Sequence, residues 1–254
     1  MRWVARGLAG LLLGGLLGGC DALWAPYISL IGPGRLCDSD DQTLVLCLGF
    51  EGQAVDGSPN RIAVTGGPLA EYVEGPVGQA ARFTASTLPV VLGDSKAWNL
   101  SEFTFEAWVR PEQLPTGPLR RFGLMDREGA YSMFLYTNEG QSDLALGCAT
   151  NDASVQGLRI PLGTFSHVAC TFRSGEQVLY LNGKPSNKDR QTVQTPAPGP
   201  LQHHLGSNVP SLAKMDPDPL VGSLDELRFF SRGRTAVEIK AAYERGASAL
   251  PSRL

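Results

Sequence analysis

The chain has 254 residues, of which 43% are hydrophobic and 19% charged, and its formal net charge at pH 7 is −3. This length and apolar content suffice for one large domain with a buried core and exclude a mostly disordered chain. The slight acidic excess, with no basic stripe, argues against nucleic acid as a partner. Thirty glycines and eighteen prolines favour many short strands joined by tight turns.

The first twenty residues have the pattern of an export signal. Arg2 and Arg6 precede an apolar run from Leu8 to Leu17, which is too short to cross a bilayer because a spanning helix needs ~20 residues. The run ends in "LGGC", which resembles the bacterial lipobox, whose cysteine is acylated after cleavage. This pattern predicts an exported protein that is anchored by lipid at Cys20 to a bacterial membrane. The pattern does not specify which membrane leaflet carries the anchor. A plain signal peptide that ends near a cysteine is the alternative.

Composition along the chain divides it into four parts. Residues 1–19 are the predicted signal peptide, and residues 20–42 form the lipidated N-terminus and a tether without sustained periodicity. One domain is predicted over residues 43–247, followed by a short tail, 248–254. No internal repeat or second domain is evident.

Four cysteines remain once Cys20 is assigned to lipid. In an exported protein they favour two disulfides, and four cysteines allow three pairings that the sequence alone does not distinguish. We favour Cys37 with Cys47, which are close in the chain, and Cys148 with Cys170, which both lie on apolar strand faces. A zinc site with four cysteine ligands is the alternative, although the chain has no C-x-x-C pair.

From Thr43 onward the sequence alternates between apolar and polar residues over short segments. The clearest is "FTFEAWVRP", whose Phe103, Phe105 and Val109 share one face. Strands recur at the spacing typical of an antiparallel sandwich, and "LYLNGK" carries a hairpin turn. Only "TAVEIKAAYERG" near the end has a helical pattern. The predicted fold is an all-β antiparallel sandwich with one short C-terminal helix.

Several segments, read in order, resemble the landmarks of one family. They are "GQAARFTAS", "FTFEAWVRP", "FSHVACTF", "VLYLNGK", "HLGS" and "LVGSLDELRFFSRGRTAVEIKAAYERG". Together they resemble the laminin G-like, concanavalin A-like jelly rolls, a group that includes the pentraxins, from about Thr43 to Gly246. The resemblance implies a jelly roll, but its members include lectins, adhesion modules and polysaccharide hydrolases, so the fold does not determine the function.

The adjacent acids Asp225 and Glu226 do not form a catalytic pair in this interpretation. In a strand their side chains point to opposite faces, which places Asp225 with Leu227 and Phe229 and leaves Glu226 in a solvated ion pair with Arg228. Laminarinase-type relatives instead carry an E-x-D-x-E strand, with all acids on one side, and this chain has none. We therefore predict that the domain is not an enzyme.

Calcium is the possible cofactor that the resemblance suggests. A buried Asp225 must be hydrogen-bonded or bound to a cation, and in related jelly rolls the matching aspartate helps to hold a structural calcium or fixes the N-terminal loop, here "VDGSPN" with Asp56. Two loops, "MDREG" and "LGSNVPS", match the pentraxin calcium loops and offer Asp126, Glu128 and Asn208 as ligands. The second loop lacks the acid-rich run of the pentraxins, so solvated loop acids are the alternative.

Histidines and aromatic residues give weaker signals. His203 and His204 are neighbours in a predicted strand and face opposite ways, so a histidine zinc site is not expected, and His167 is expected to have a packing role. An exposed Trp108, or the strand from Tyr131 to Tyr136, could offer a stacking surface to a sugar.

The predicted function is recognition of a glycan or of a protein at the bacterial envelope, without chemistry. A glycoside hydrolase of laminarinase-like fold and a structural part of an envelope complex are the alternatives. The oligomeric state is left open.

Overall fold

A computed structural model describes residues 37–66, 71–87, 90–127, 129–150, 153–192, 203–208 and 218–248. The predicted signal peptide, the predicted lipidation site Cys20 and the predicted tether up to residue 36 lie outside the described residues. No described helix is long and apolar enough to cross a membrane.

The described chain folds into fifteen strands, one 3-10 turn and one helix. The strands are Leu44–Leu48 (β1), Val64–Gly66 (β2), Glu71–Glu74 (β3), Gln79–Phe83 (β4), Val90–Leu92 (β5), Phe103–Pro111 (β6), Arg121–Arg127 (β7), Tyr131–Tyr136 (β8), Leu144–Thr150 (β9), Ala153–Ile160 (β10), Ser166–Arg173 (β11), Glu176–Leu181 (β12), Lys184–Thr192 (β13), His203–Leu205 (β14) and Gly222–Phe230 (β15). The 3-10 turn is Lys96–Trp98 and the helix is Ala236–Ala247 (α1).

The strands form two antiparallel sheets, which confirms the predicted sandwich with one short C-terminal helix. The eight-stranded sheet has the order β13-β12-β11-β6-β15-β4-β3, with β1 also paired to β15. The seven-stranded sheet has the order β10-β9-β8-β7-β14-β5-β2. Alternate residues of both sheets point into one apolar core between them.

Two disulfides are present among the described residues. Cys148–Cys170 joins β9 of one sheet to β11 of the other, with both cysteines buried, and confirms that predicted pair. Cys37–Cys47 ties the segment before the first strand to β1. Each bridge lowers the conformational entropy of the unfolded chain, and both therefore stabilise the folded sandwich.

Helix α1 covers the outer side of the eight-stranded sheet. It starts with a capping box, in which Thr235 and Glu238 bond each other's backbone N–H groups. Gly246 packs directly on the indole ring of Trp108, where a β-carbon would overlap the ring. Trp108 is therefore only 1% exposed, and the prediction of an exposed stacking surface at this residue is wrong, because the helix that covers it arrives from far along the chain.

A β-bulge in β15 changes the predicted orientation of the paired acids. Asp225 pairs with Trp108 of β6, but the next pair along is Arg228 with Glu106, so two residues of β15 oppose one residue of β6. Glu226 adopts a positive φ of 46° at this point. Asp225 therefore lies on the side of Trp108, and the prediction that it shares a face with Leu227 and Phe229 is wrong.

The bulge coincides with a change of partner along one edge of β15. Residues Gly222 to Leu224 pair with β4, whereas residues Leu227 to Phe230 pair with β1. Asp225 and Glu226 occupy the notch between these two partners, which assigns them to the scaffold of the sheet.

Candidate functional site

The outer face of the seven-stranded sheet carries most of the residues that the sequence singled out. In β8, Met133 and Leu135 belong to the core, so Phe134 and Tyr136 point outward. The register places Ser132 beside Asp126 of β7, and Asp126 beside His204 of β14. We call this surface the outer sheet face and define it by Arg121, Asp126, Phe134, Tyr136, Arg159 and His204.

A hydrogen-bond network joins two of the predicted ligand residues on this face. The neighbours of the Asn208 amide fix its orientation: its nitrogen donates to Asp126 Oδ2 at 2.8 Å, and its oxygen accepts from Arg121 Nη2 at 2.7 Å. Arg121 Nε also donates to Asp218 Oδ2 at 2.5 Å. The two carboxylates are thus linked through one amide and one guanidinium, and all four side chains hold fixed positions.

Close backbone approach makes this network possible. A β-carbon at Gly123 would overlap the backbone of Ser207 and Asn208, so only glycine lets the loop after β14 lie against β7. The amide of Gly123 donates to the Asp218 carbonyl at 2.9 Å. These contacts bring Asn208 and Asp218 to the strand that carries Asp126.

The two adjacent histidines separate as predicted, one inward and one outward. His203 stacks on Trp98 with ring centroids 4.1 Å apart, and its Nε2 lies 3.2 Å from the Tyr131 hydroxyl. His204 faces the outer sheet face, with Nδ1 3.3 Å from the Asn208 carbonyl oxygen. Burial lowers the pKa of His204, so its imidazole is neutral at pH 7.

Calcium does not fit the described part of this network. Asp126 is engaged by an amide N–H, and Arg121, a permanent cation, already lies where it compensates the carboxylates. Calcium needs six to eight oxygen ligands, and the described residues contain no group of three or more acids, histidines or cysteines placed to hold a metal. The third predicted ligand, Glu128, lies outside the described residues.

Asp56 also has protein partners in place of a cation. Its Oδ1 accepts from the backbone N–H groups of Cys47 and Ser58, both at 2.9 Å, and its Oδ2 accepts from the Ser58 hydroxyl at 2.8 Å and the Ile62 N–H at 2.7 Å. Four donors saturate a carboxylate. Asp56 therefore organises the loop after β1 and does not fit a calcium ligand.

Asp225 is hydrogen-bonded at the bulge. Its Oδ2 accepts from the Val77 N–H at 3.0 Å and its Oδ1 from the Glu226 N–H at 2.7 Å. Burial raises the pKa of this carboxyl to about 8, with the charges of Glu226 and Glu51 adding to the effect. The geometry agrees with the hydrogen-bonded alternative for this residue, and its partners differ from those of Asp56.

A cleft of about 270 Å³ lies beside the bulge. Glu51, Gln53 and Arg61 line it together with Glu226. Phe50, Arg61 and Glu226 have positive φ angles of 53°, 50° and 46°, which are uncommon for residues other than glycine. Sequence reasoning missed this cleft, because no glycine or proline marks these three positions.

A buried ion cluster lies beneath helix α1. Glu106 Oε1 pairs with Arg228 Nη2 at 2.9 Å and also with Arg234. His167 Nε2 is 3.9 Å from Glu106 Oε2, and burial lowers the pKa of His167 to about 4. The prediction of a solvated pair between Glu226 and Arg228 is wrong, because both side chains are buried. Arg228 lies opposite Glu106 of β6 and pairs with it instead.

A family model described as the concanavalin A-like lectin/glucanases superfamily matches residues 84–240. The chain belongs to this superfamily. This assignment confirms the resemblance drawn from the sequence. No curated protein matches this concanavalin A-like domain.

Solved structures share the fold of this concanavalin A-like domain at low identity. Domain 4 of AbnA, a GH43 extracellular arabinanase from Geobacillus stearothermophilus, was solved with arabinotriose; it is 22% identical, with a TM-score of 0.58, over 78% of this chain and 97% of that one. The binding domain of Paraclostridial Mosquitocidal Protein 1 is 15% identical, with a TM-score of 0.59, over 79% of this chain and 52% of that one.

The binding domain of Botulinum Neurotoxin DC, solved with SialylT, is 12% identical, with a TM-score of 0.58, over 81% of this chain and 52% of that one. The same toxin domain was also solved with rat synaptotagmin II. Our chain spans about half the length of these toxin domains. At these identities the likeness shows the fold alone.

Proposed function

We propose that this concanavalin A-like domain is a non-catalytic recognition module that binds a glycan through its outer sheet face. In this proposal the module is exported and anchored to a bacterial membrane by lipid at Cys20. The supporting observation is the fixed network of Asp126, Asn208 and Arg121 beside the outward rings of Phe134 and Tyr136. A few preset polar groups next to apolar rings are typical of small-molecule binding sites.

The composition of the seven-stranded sheet supports a role without catalysis. Among its described strands, Asp126 is the one carboxylate, and it is 5% exposed and hydrogen-bonded to Asn208. A glycosidase needs two carboxyl groups across one cleft, ~5 to 9.5 Å apart. The strands of this sheet do not supply such a pair.

The related structures give the glycan proposal its plausibility. One related domain was solved with arabinotriose and another with SialylT. A related domain was also solved with a protein, so a protein partner at the envelope is the outcome to consider if no glycan binds.

A glycan array tests the proposal. The protein is produced from residue 20 onward with Cys20→Ser, checked for a cooperative thermal transition, and applied with calcium and again with EDTA. The proposal expects binding that EDTA leaves unchanged. Loss of binding in EDTA would show that the site depends on calcium. If the folded protein binds no glycan, the proposed ligand would instead be a protein.

Anchoring is tested separately by phase partitioning of the full-length protein after expression in a bacterium. The wild-type protein is expected in the detergent phase and Cys20→Ala in the aqueous phase. A Cys20→Ala protein that still carries lipid would overturn the lipoprotein part of the proposal.

A further inference from the structure

One part of the outer sheet face places two arginines around a half-buried tyrosine ring. The register puts Arg121 of β7 opposite Tyr136 of β8, Tyr136 opposite Ala145 of β9, and Ala145 opposite Arg159 of β10. Directly paired residues point to the same side of a sheet. The row therefore runs from arginine to tyrosine, across a small alanine, to the second arginine.

Both arginines are held in the same manner, by the edge formed by Nε and Nη2. Arg121 donates from Nε to Asp218 and from Nη2 to Asn208. Arg159 donates from Nε to Asp143 Oδ2 at 2.8 Å and from Nη2 to Gln141 at 2.8 Å. These bonds use one edge of each guanidinium, and the Nη1 group lies outside that edge.

The rings of Phe134 and Tyr136 lie near the arginines, so one ligand could contact both kinds of side chain. The guanidinium carbon of Arg121 is 5.6 Å from the centre of the Phe134 ring, and the Phe134 and Tyr136 ring centroids are 6.0 Å apart. Asp143, through its hydrogen bond, raises the pKa of Arg159. Ala145 lies between Tyr136 and Arg159 in the register, and its small side chain leaves room for a ligand above the sheet.

Arginine with preset geometry is the side chain suited to planar or multi-oxygen anions. An aromatic face suits the apolar C–H surface of a sugar ring. We propose that the row Arg121–Tyr136–Arg159 recognises an anionic sugar, with its ring over Tyr136 and its acidic group on an arginine. This inference rests on the proposed glycan-binding function and names the class of glycan. The anion is either the carboxylate of a uronic or sialic acid or a sulfate ester.

The alternative is that both arginines only stabilise the sheet. Arg159 pairs with Asp143 at an exposed site, where an ion pair contributes ~0 to 1 kcal/mol. Arg121 pairs with Asp218, whose carboxylate is buried. Such a structural role does not depend on ligand charge. The test therefore has to compare ligands that differ in charge alone.

Calorimetric titration of the protein from residue 20 onward, carrying Cys20→Ser, supplies this comparison. Three oligosaccharides of equal length are used as probes: neutral, carboxylated and sulfated. The inference expects the anionic probes to bind at least ~10-fold tighter than the neutral one. Arg159→Gln and Arg121→Gln should each lower the affinity for the anionic probes by at least ~10-fold, and so remove their preference over the neutral probe.

Arg173→Gln is the matched control, because Arg173 is exposed at the end of β11 in the other sheet. A preference for one anionic probe over the other identifies the acidic group. Equal affinity for neutral and anionic probes would overturn the inference and leave the glycan proposal standing. Binding of none of the three probes, together with a silent glycan array, would overturn both.

Discussion

Asn208 donates its amide N–H to Asp126 at 2.8 Å and accepts from Arg121 at 2.7 Å. One neutral side chain thereby separates an anion and a cation that come from the same strand. The arrangement satisfies all three groups while they stay at the surface of a sheet. This relationship is the centre of the proposed binding site.

Asn208→Ala should weaken ligand binding by about tenfold or more, because it removes the contact that fixes both Asp126 and Arg121. The same change should lower the free energy of unfolding by ~1 to 3 kcal/mol, since it leaves buried polar atoms without their partner. Titration with the strongest array ligand and chemical denaturation measure the two effects. Asn138→Ala, in an exposed turn, is the control, and equal binding by both variants would contradict the assignment.

Asp225 should make the protein less stable as the pH rises. Its pKa is about 8 in the folded protein against an ordinary value of 3.8, so the folded state holds a proton that the unfolded state releases. Its contribution is complete below about pH 4 and is lost as the pH rises to about 8. Denaturation midpoints at several pH values should fall less steeply for Asp225→Asn than for wild type.

Asp94→Asn, at an exposed site, serves as the control for this pH series. Calcium added at pH 8 should leave the midpoint of the wild-type protein unchanged, because Asp225 is hydrogen-bonded to Val77 and Glu226 and has no cation in this account. A calcium-dependent rise that Asp225→Asn abolishes would establish a structural calcium site instead.

Glu106→Gln should destabilise the protein by ~3 to 5 kcal/mol, because it removes the anion that neutralises the buried Arg228 and the largely buried Arg234. Thermal and chemical denaturation measure this loss. Glu139→Gln, in an exposed turn, should change stability by less than ~0.5 kcal/mol. Similar losses for both variants would show that the cluster under α1 is not a unit.

Removal of the bridge between the sheets by Cys148→Ala with Cys170→Ala should cost ~3 kcal/mol or more. The two residues are 22 positions apart in the chain, and both are buried in the core, so a packing loss adds to the loss of the cross-link. The double variant at Cys37 and Cys47, which are 10 positions apart in the chain, should lose less. The reverse order in denaturation experiments would contradict this assignment.

The regular parts of the fold were predictable from the sequence because they depend on local alternation. In β6 and β11 the pattern of side chains gives the strand, its core face and the position of Cys170 directly. The bulge at Glu226 was not predictable, since it is created by the exchange of β4 for β1 along β15. One extra residue there reverses the face assigned to Asp225.

The candidate site was predictable in part. Family resemblance indicated Asp126 and Asn208, which the fold brings into contact. Arg121 and Asp218 were missed because they lie 97 positions apart in sequence and meet only through the close approach at Gly123. The burial of Trp108 was missed for a similar reason, since helix α1 reaches it from the end of the domain.

The most direct test of the account is a glycan array probed in parallel with wild type, Tyr136→Ala and Glu51→Ala. Tyr136 lies on the outer sheet face, whereas Glu51 lines the cleft beside the bulge. We predict that wild type and Glu51→Ala bind the same glycans and that Tyr136→Ala loses them. Binding that survives in Tyr136→Ala but is lost in Glu51→Ala, or no binding by folded wild-type protein, would contradict recognition through the outer sheet face.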